Sequence, residues 1–62
     1  MKAIKDYLQL SGMTQVELAR RAGMSAITLN HFIAGRREPK IKNLRKLSLA
    51  TGISFENLLK GL

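Results

Sequence analysis

Residues 14–35 read TQVELARRAGMSAITLNHFIAG, and the order of polar caps, apolar spacings and glycines within them decides the fold. Thr14 followed by Glu17 is the spacing of a capping box. The Thr hydroxyl is placed to accept from the Glu17 backbone N–H, and the Glu17 carboxylate to reach back to the Thr14 N–H. Met13 and Leu18 flank that box as a hydrophobic staple. The pattern returns at Ser25, an N-cap with Met24 and Leu29 as its staple pair. Between the two lies Gly23, the residue type that stops a helix in a left-handed conformation. Two short helices joined by a brief turn containing Gly constitute a helix-turn-helix.

Outward from this stretch, apolar spacing extends the helical reading in both directions. Lys2 to Ser11 forms a first helix, with Ile4, Tyr7 and Leu8 on one face and Gly12 at its end. Gln15 to Ala22 and Ala26 to Ala34 are the second and third. The second is expected to bury Val16, Leu18, Ala19 and Ala22 in part, and Gly35 closes the third. Ile41, Leu44, Leu47 and Ala50 recur at helical spacing through a fourth helix ending at Thr51, where Gly52 stops it. Ser54 caps a short fifth helix, and Ile53 with Leu58 repeats the staple. No stretch alternates like a strand, so the expectation is an all-α, five-helix single domain spanning 1–62. Such short helices do not stand alone, and each must bury one face against the others.

Composition narrows the function. The 62 residues hold no cysteine and one histidine, which leaves no thiolate or clustered imidazole site for a metal. A domain of this length hides only about 60% of the surface that its unfolded chain exposes. No apolar run approaches the roughly 20 residues of a membrane span, and no signal-peptide pattern opens the chain. A cytoplasmic location is therefore expected. Four scattered carboxylates and one His offer no acid–base pair, and there is no Gly-rich phosphate loop. The chain reads as a non-enzyme without cofactor, metal or small-molecule substrate.

Eleven Lys and Arg against four Asp and Glu give a net charge of +7. Such a balance favours a polyanionic partner. Arg36, Arg37, Lys40, Lys42, Arg45 and Lys46 fall between 36 and 46, opposed only by Glu38. They begin directly after the third helix. A helix-turn-helix followed by a basic loop points to double-stranded DNA, with the second helix of the motif in the major groove. RNA fits less well, because no aromatic residues are interleaved for base stacking.

With these elements in place, the chain resembles the five-helix DNA-binding domain of phage repressors, Cro proteins and xenobiotic-response-element type bacterial regulators, a lambda-repressor-like fold. The signature is T-Q-x-E-L-A-x-x-A-G at 14–23, Ser25, and Gly35, then P-x-I-x-N-L-x-K-L at 39–47 and A-T-G-I-S-F-E-N-L-L at 50–59. The resemblance covers nearly the whole chain. It implies a transcriptional regulator in the cytosol or nucleoid of a bacterial cell or in a phage-infected host, with repressor as the expected sense. It also assigns Gln15 to a phosphate, Ala26 and Ile27 to the opening of the recognition helix, and His31 to a base-reading position. Arg36, Arg37 and Lys40, with Lys42 close behind, fall on the loop that clamps the DNA backbone.

The chain departs from the family in three places. Many members carry an Arg late in helix 1 and a Glu near the end of helix 3 as a partly buried ion pair, where this sequence has Leu8 and Ile33. Replacing a buried pair with packed apolar groups is often neutral or stabilising, since two desolvation penalties vanish. Ala34 stands where a phosphate-contacting amide is common, and Lys40 is a weak N-cap where Ser is frequent.

The helical period gives the orientation of the third helix independently of the resemblance. Leu29, Phe32 and Ile33 fall within about 100° and face the core. Ile27, His31 and Ala34 lie opposite, flanked by Thr28 and Asn30, with Ala26 at the boundary in the first turn. The candidate base-reading set is thus Ala26, Ile27, Thr28, Asn30 and His31. Ile27 suits a thymine methyl, His31 a guanine acceptor or a phosphate, and Asn30 an adenine edge. Each also has a plain reading as exposed surface, and Thr28 equally serves the helix start. The candidate phosphate set is Gln15, Ser25, Arg36, Arg37, Lys40 and Lys42. Phe55, Leu58, Leu59 and Leu62 form a stripe whose far end, Leu59 and Leu62, is a candidate contact in a weak or DNA-dependent homodimer. The rival reading is a protein-binding module on the same fold, such as an antitoxin, using Ile27 and that stripe.

Overall fold

Thr14 starts the decisive segment as read: its Oγ1 accepts from the Glu17 N–H at 3.1 Å, and helix α2 runs Gln15–Ala22. The return half of the box is not made. Glu17 instead accepts from Arg20 and, at 2.8 Å, from Arg21. Two cations at i+3 and i+4 compete for one carboxylate, and they win it. The hydrogen bonds from Arg21 and then Arg20 hold the Glu17 carboxyl below its ordinary pKa. The folded value is thus lower than the unfolded one, so the stabilisation is complete above the unfolded carboxylate range. It is lost as the pH falls through the folded value. Glu17→Gln should therefore flatten the acid limb of a plot of Tm against pH, read by circular dichroism from pH 7 to 2. Parallel wild-type and variant curves would contradict this.

At the other end of α2 the N–H of Gly23 donates to Arg20 O, and that of Met24 to Ala19 O. This is a Schellman close, and it places Gly23 at φ 71°. An added Cβ there would meet nothing within 4 Å, so the backbone conformation, and not space, makes glycine the fitting residue. The turn is held further by Lys46, whose Nζ donates to the Gly23 carbonyl at 3.3 Å. Helix α3 then runs Ala26–Ile33 from its Ser25 cap. Gly35 and Arg36 repeat the Schellman bonds onto Phe32 O and His31 O.

The computed structural model describes residues 1–60. The remaining helices are α1 (Lys2–Ser11), α4 (Ile41–Thr51) and α5 (Phe55–Leu59). No strand occurs among the described residues. Helix α2 packs on α3 and α4, α1 on α3 and α5, and α4 on α5, within 22 × 21 × 19 Å. They enclose one core whose fully buried large side chains are Ile4, Leu18, Leu29, Phe32, Leu47 and Leu58. All three staple pairs lie in that core or against it: Met13 with Leu18, Met24 with Leu29, Ile53 with Leu58. Ile33 is buried and Leu8 packs against the core, so the positions of the family's ion pair carry apolar packing here.

Two apolar residues are not where their spacing put them. Val16 is 66% and Ile41 65% exposed. On α2 the buried stripe is Leu18, Ala19 and Ala22. Val16, two residues before Leu18, is turned about 200° away from it. Ile41 is the first residue of α4 and projects past the edge of the core. Among the described residues no helix is long and apolar enough to cross a membrane.

Candidate nucleic-acid interface

Burial of Leu29, Phe32 and Ile33 fixes the rotation of α3. Its outward face then carries Ile27, 71% exposed, with Asn30 and Ala34 also exposed and His31 half-buried. Ala26 is half-buried and packs against the core. It offers less surface than its place in the first turn suggested, and Ile27 becomes the foremost apolar group of the helix tip.

The cap residues are more committed than the sequence indicates. Ser25 Oγ accepts from the Thr28 N–H at 3.0 Å and donates to Thr28 Oγ1 at 2.8 Å. The Ser25 hydroxyl proton is thereby engaged, and the donor left at this corner is the Thr28 hydroxyl. Gln15, at the start of α2, is half-buried. Its Oε1 accepts from Asn30 Nδ2 at 3.2 Å. One candidate phosphate residue and one candidate base reader are thus brought together, a pairing that neither period nor motif had suggested.

The loop after α3 presents Arg36, Arg37 and Lys40, and the first turn of α4 adds Lys42, all exposed, around a buried Pro39. None of the four lies in an ion pair among the described residues; the carboxylate pairs there are Lys2 with Asp6 and Arg20 and Arg21 with Glu17. The Arg37 guanidinium sits 5.9 Å from the centroid of the Phe32 ring, within cation–π range. The core thus orients the first turn of the loop. Lys40 gives α4 no side-chain cap hydrogen bond, so the first amides of that helix add positive potential beside the loop cations. Lys46 faces the Gly23 carbonyl and stiffens the motif instead.

Of the candidate dimer contacts, Leu59 is 49% exposed, while Leu58 is buried in the core. Leu62 lies outside the described residues. Chemically, then, the surface has an apolar tip, a few amide and hydroxyl groups, and an arc of uncompensated cations. That suits a grooved polyanion. Among the described residues no cluster of three or more His, Asp or Glu could hold a metal ion.

No curated protein and no solved structure matches this chain. A family model described as helix-turn-helix does, over residues 4–58, from the first turn of α1 to the penultimate residue of α5. The match takes in both capped helices, the glycine turn and the basic loop, and on it the chain belongs to the helix-turn-helix family of Cro/C1 type, whose members are DNA-binding transcription regulators.

Proposed function

We infer that this domain acts as a sequence-selective repressor, with α3 laid in the major groove of duplex DNA and the loop after α3, with Lys42 at the start of α4, clamping the backbone. The observation that carries this is the exposure of Ile27 together with that of the cations that follow α3. One helix turns an exposed apolar side chain outward, and Arg36 and Arg37, in no ion pair among the described residues, follow within about one turn of its end. Thymine C5-methyls are apolar landmarks of the major groove, and Ile27 packs on one or more of them. His31 and Thr28 lie within reach of base edges or phosphates. Gln15, Arg36, Arg37, Lys40 and Lys42 contact phosphates, which position the domain without reading sequence. No Arg or Gln on the outer face of α3 offers the commonest bidentate contacts, so DNA shape supplies part of the selectivity. Two copies occupy adjacent half-sites as a weak, DNA-dependent dimer, with Leu59 near the twofold axis.

Selection from random duplexes at near-physiological salt tests this directly. An enriched motif of two half-sites one helical turn apart is expected. Uracil placed for thymine, position by position, should weaken binding at the step that Ile27 covers by about 3- to 10-fold, and Ile27→Ala should abolish that difference. Unenriched sequences, or indifference to uracil at every position, would refute the groove assignment.

A further inference from the structure

Among the described residues the Asn30–Gln15 bond is the one hydrogen bond between side chains that joins two different helices. Gln15 is the first residue of α2 and Asn30 lies midway along α3, so the bond spans the turn of the motif. A carboxamide has an acceptor end and a donor end of nearly equal shape. A phosphate oxygen accepts from one and is repelled by the other. We propose that Asn30 is a positioning residue for Gln15. By donating to Oε1 it turns that acceptor toward α3 and leaves Nε2 to donate to the DNA backbone.

This assignment rests on the DNA-binding reading and refines the role expected of Asn30. One of its amide hydrogens is committed to Gln15, while Oδ1 and the second hydrogen are not. The bond also couples the register of α3 to the backbone contact of α2, since moving one helix against the other breaks it. Lys46 on the Gly23 carbonyl restrains the same turn from the side of α4.

The test has a free-protein arm and a DNA arm, each on the full chain, with thermal melts confirming that every variant folds. Without DNA, side-chain ¹⁵N relaxation of the Gln15 amide should report an ordered group in the wild type and a mobile one in Asn30→Ala. Equal mobility in both would overturn the positioning role whether or not the protein binds DNA. With the duplex that selection returns, Asn30→Ala should weaken binding about 3- to 10-fold, the scale of one neutral hydrogen bond. The loss should be equal for the preferred site and for its single-base variants, and should disappear in a Gln15→Ala background. Asn30→Asp should be worse, because a carboxylate accepts from Nε2 and turns Oε1 toward the phosphate. Its excess over Asn30→Ala should shrink once Gln15 is Ala. If Asn30→Ala instead alters preference at one base pair and keeps its full effect in Gln15→Ala, Asn30 is a base reader and the proposal is wrong. A wild type with an ordered Gln15 amide that binds no duplex would overturn the DNA-binding reading, and with it Gln15's assigned partner.

Discussion

Phe32→Ala should bring this domain to its unfolding midpoint at ambient temperature. The side chain is 1% exposed at the centre of the core, and truncating a buried Phe to Ala typically costs about 3–5 kcal/mol. A single core in a chain this short supplies roughly the same net stability, 3–5 kcal/mol. No disulfide or second domain among the described residues shares the load. The loss thus equals the whole margin, so folded and unfolded chains should be comparably populated, and far-UV circular dichroism at 25 °C should show helicity cut by roughly half. Ile27→Ala, five residues earlier on the opposite face of the same helix, should leave the melting curve nearly unchanged, since exposed substitutions usually fall within about 0.5 kcal/mol. Phe32→Leu, which keeps most of the volume, should stay folded but lose the aromatic face beneath Arg37. A cooperative native-like melt for Phe32→Ala would show that stability resides elsewhere than in this core.

That contrast marks what the sequence discloses and what it does not. Cap chemistry is local, which is why Thr14, Ser25 and Ser54 accept the backbone bonds expected of them and the helices start where those residues say. Rotation of α3 follows from the spacing of Leu29, Phe32 and Ile33, and their burial confirms it. Period alone fails where an apolar residue sits off the stripe or at a helix end, as with Val16 and Ile41. It also cannot weigh rival partners: Glu17 had a backbone N–H and two arginines within reach, and the charges prevailed. Contacts across helices were hidden for a different reason. Gln15 and Asn30 are fifteen residues apart and Gly23 and Lys46 twenty-three, so no local rule links them until the helices are packed. The candidate site was legible as a list of residues and a face. Which hydroxyl and which amide end remain free for a ligand was not.

The cations of the loop should control affinity while leaving preference intact. Arg36, Arg37 and Lys40 are exposed, lie outside the helices and share no ion pair among the described residues, so replacing all three with Ala removes little packing. Taking one cation away from a phosphate should lower the slope of log K against log salt by about 0.9, and removing all three by about 2.7. Relative to a 1 M reference, where the logarithmic salt term is zero, that is a loss of about 80-fold in affinity near 0.2 M salt, and more in dilute buffer. The ratio of affinities for the preferred site and its single-base variants should not change, because backbone contacts position and do not read. Arg37→Ala alone should lower the slope by about 0.9 and, by removing the guanidinium above Phe32, cost the fold no more than about 1 kcal/mol. The salt series matters more than any single dissociation constant. A weaker complex with an unaltered slope would mean that the loop acts through shape or through a partner protein. A lowered slope with unaltered preference is what phosphate contacts require, and it would separate the grip proposed for residues 36–40 from the reading proposed for α3.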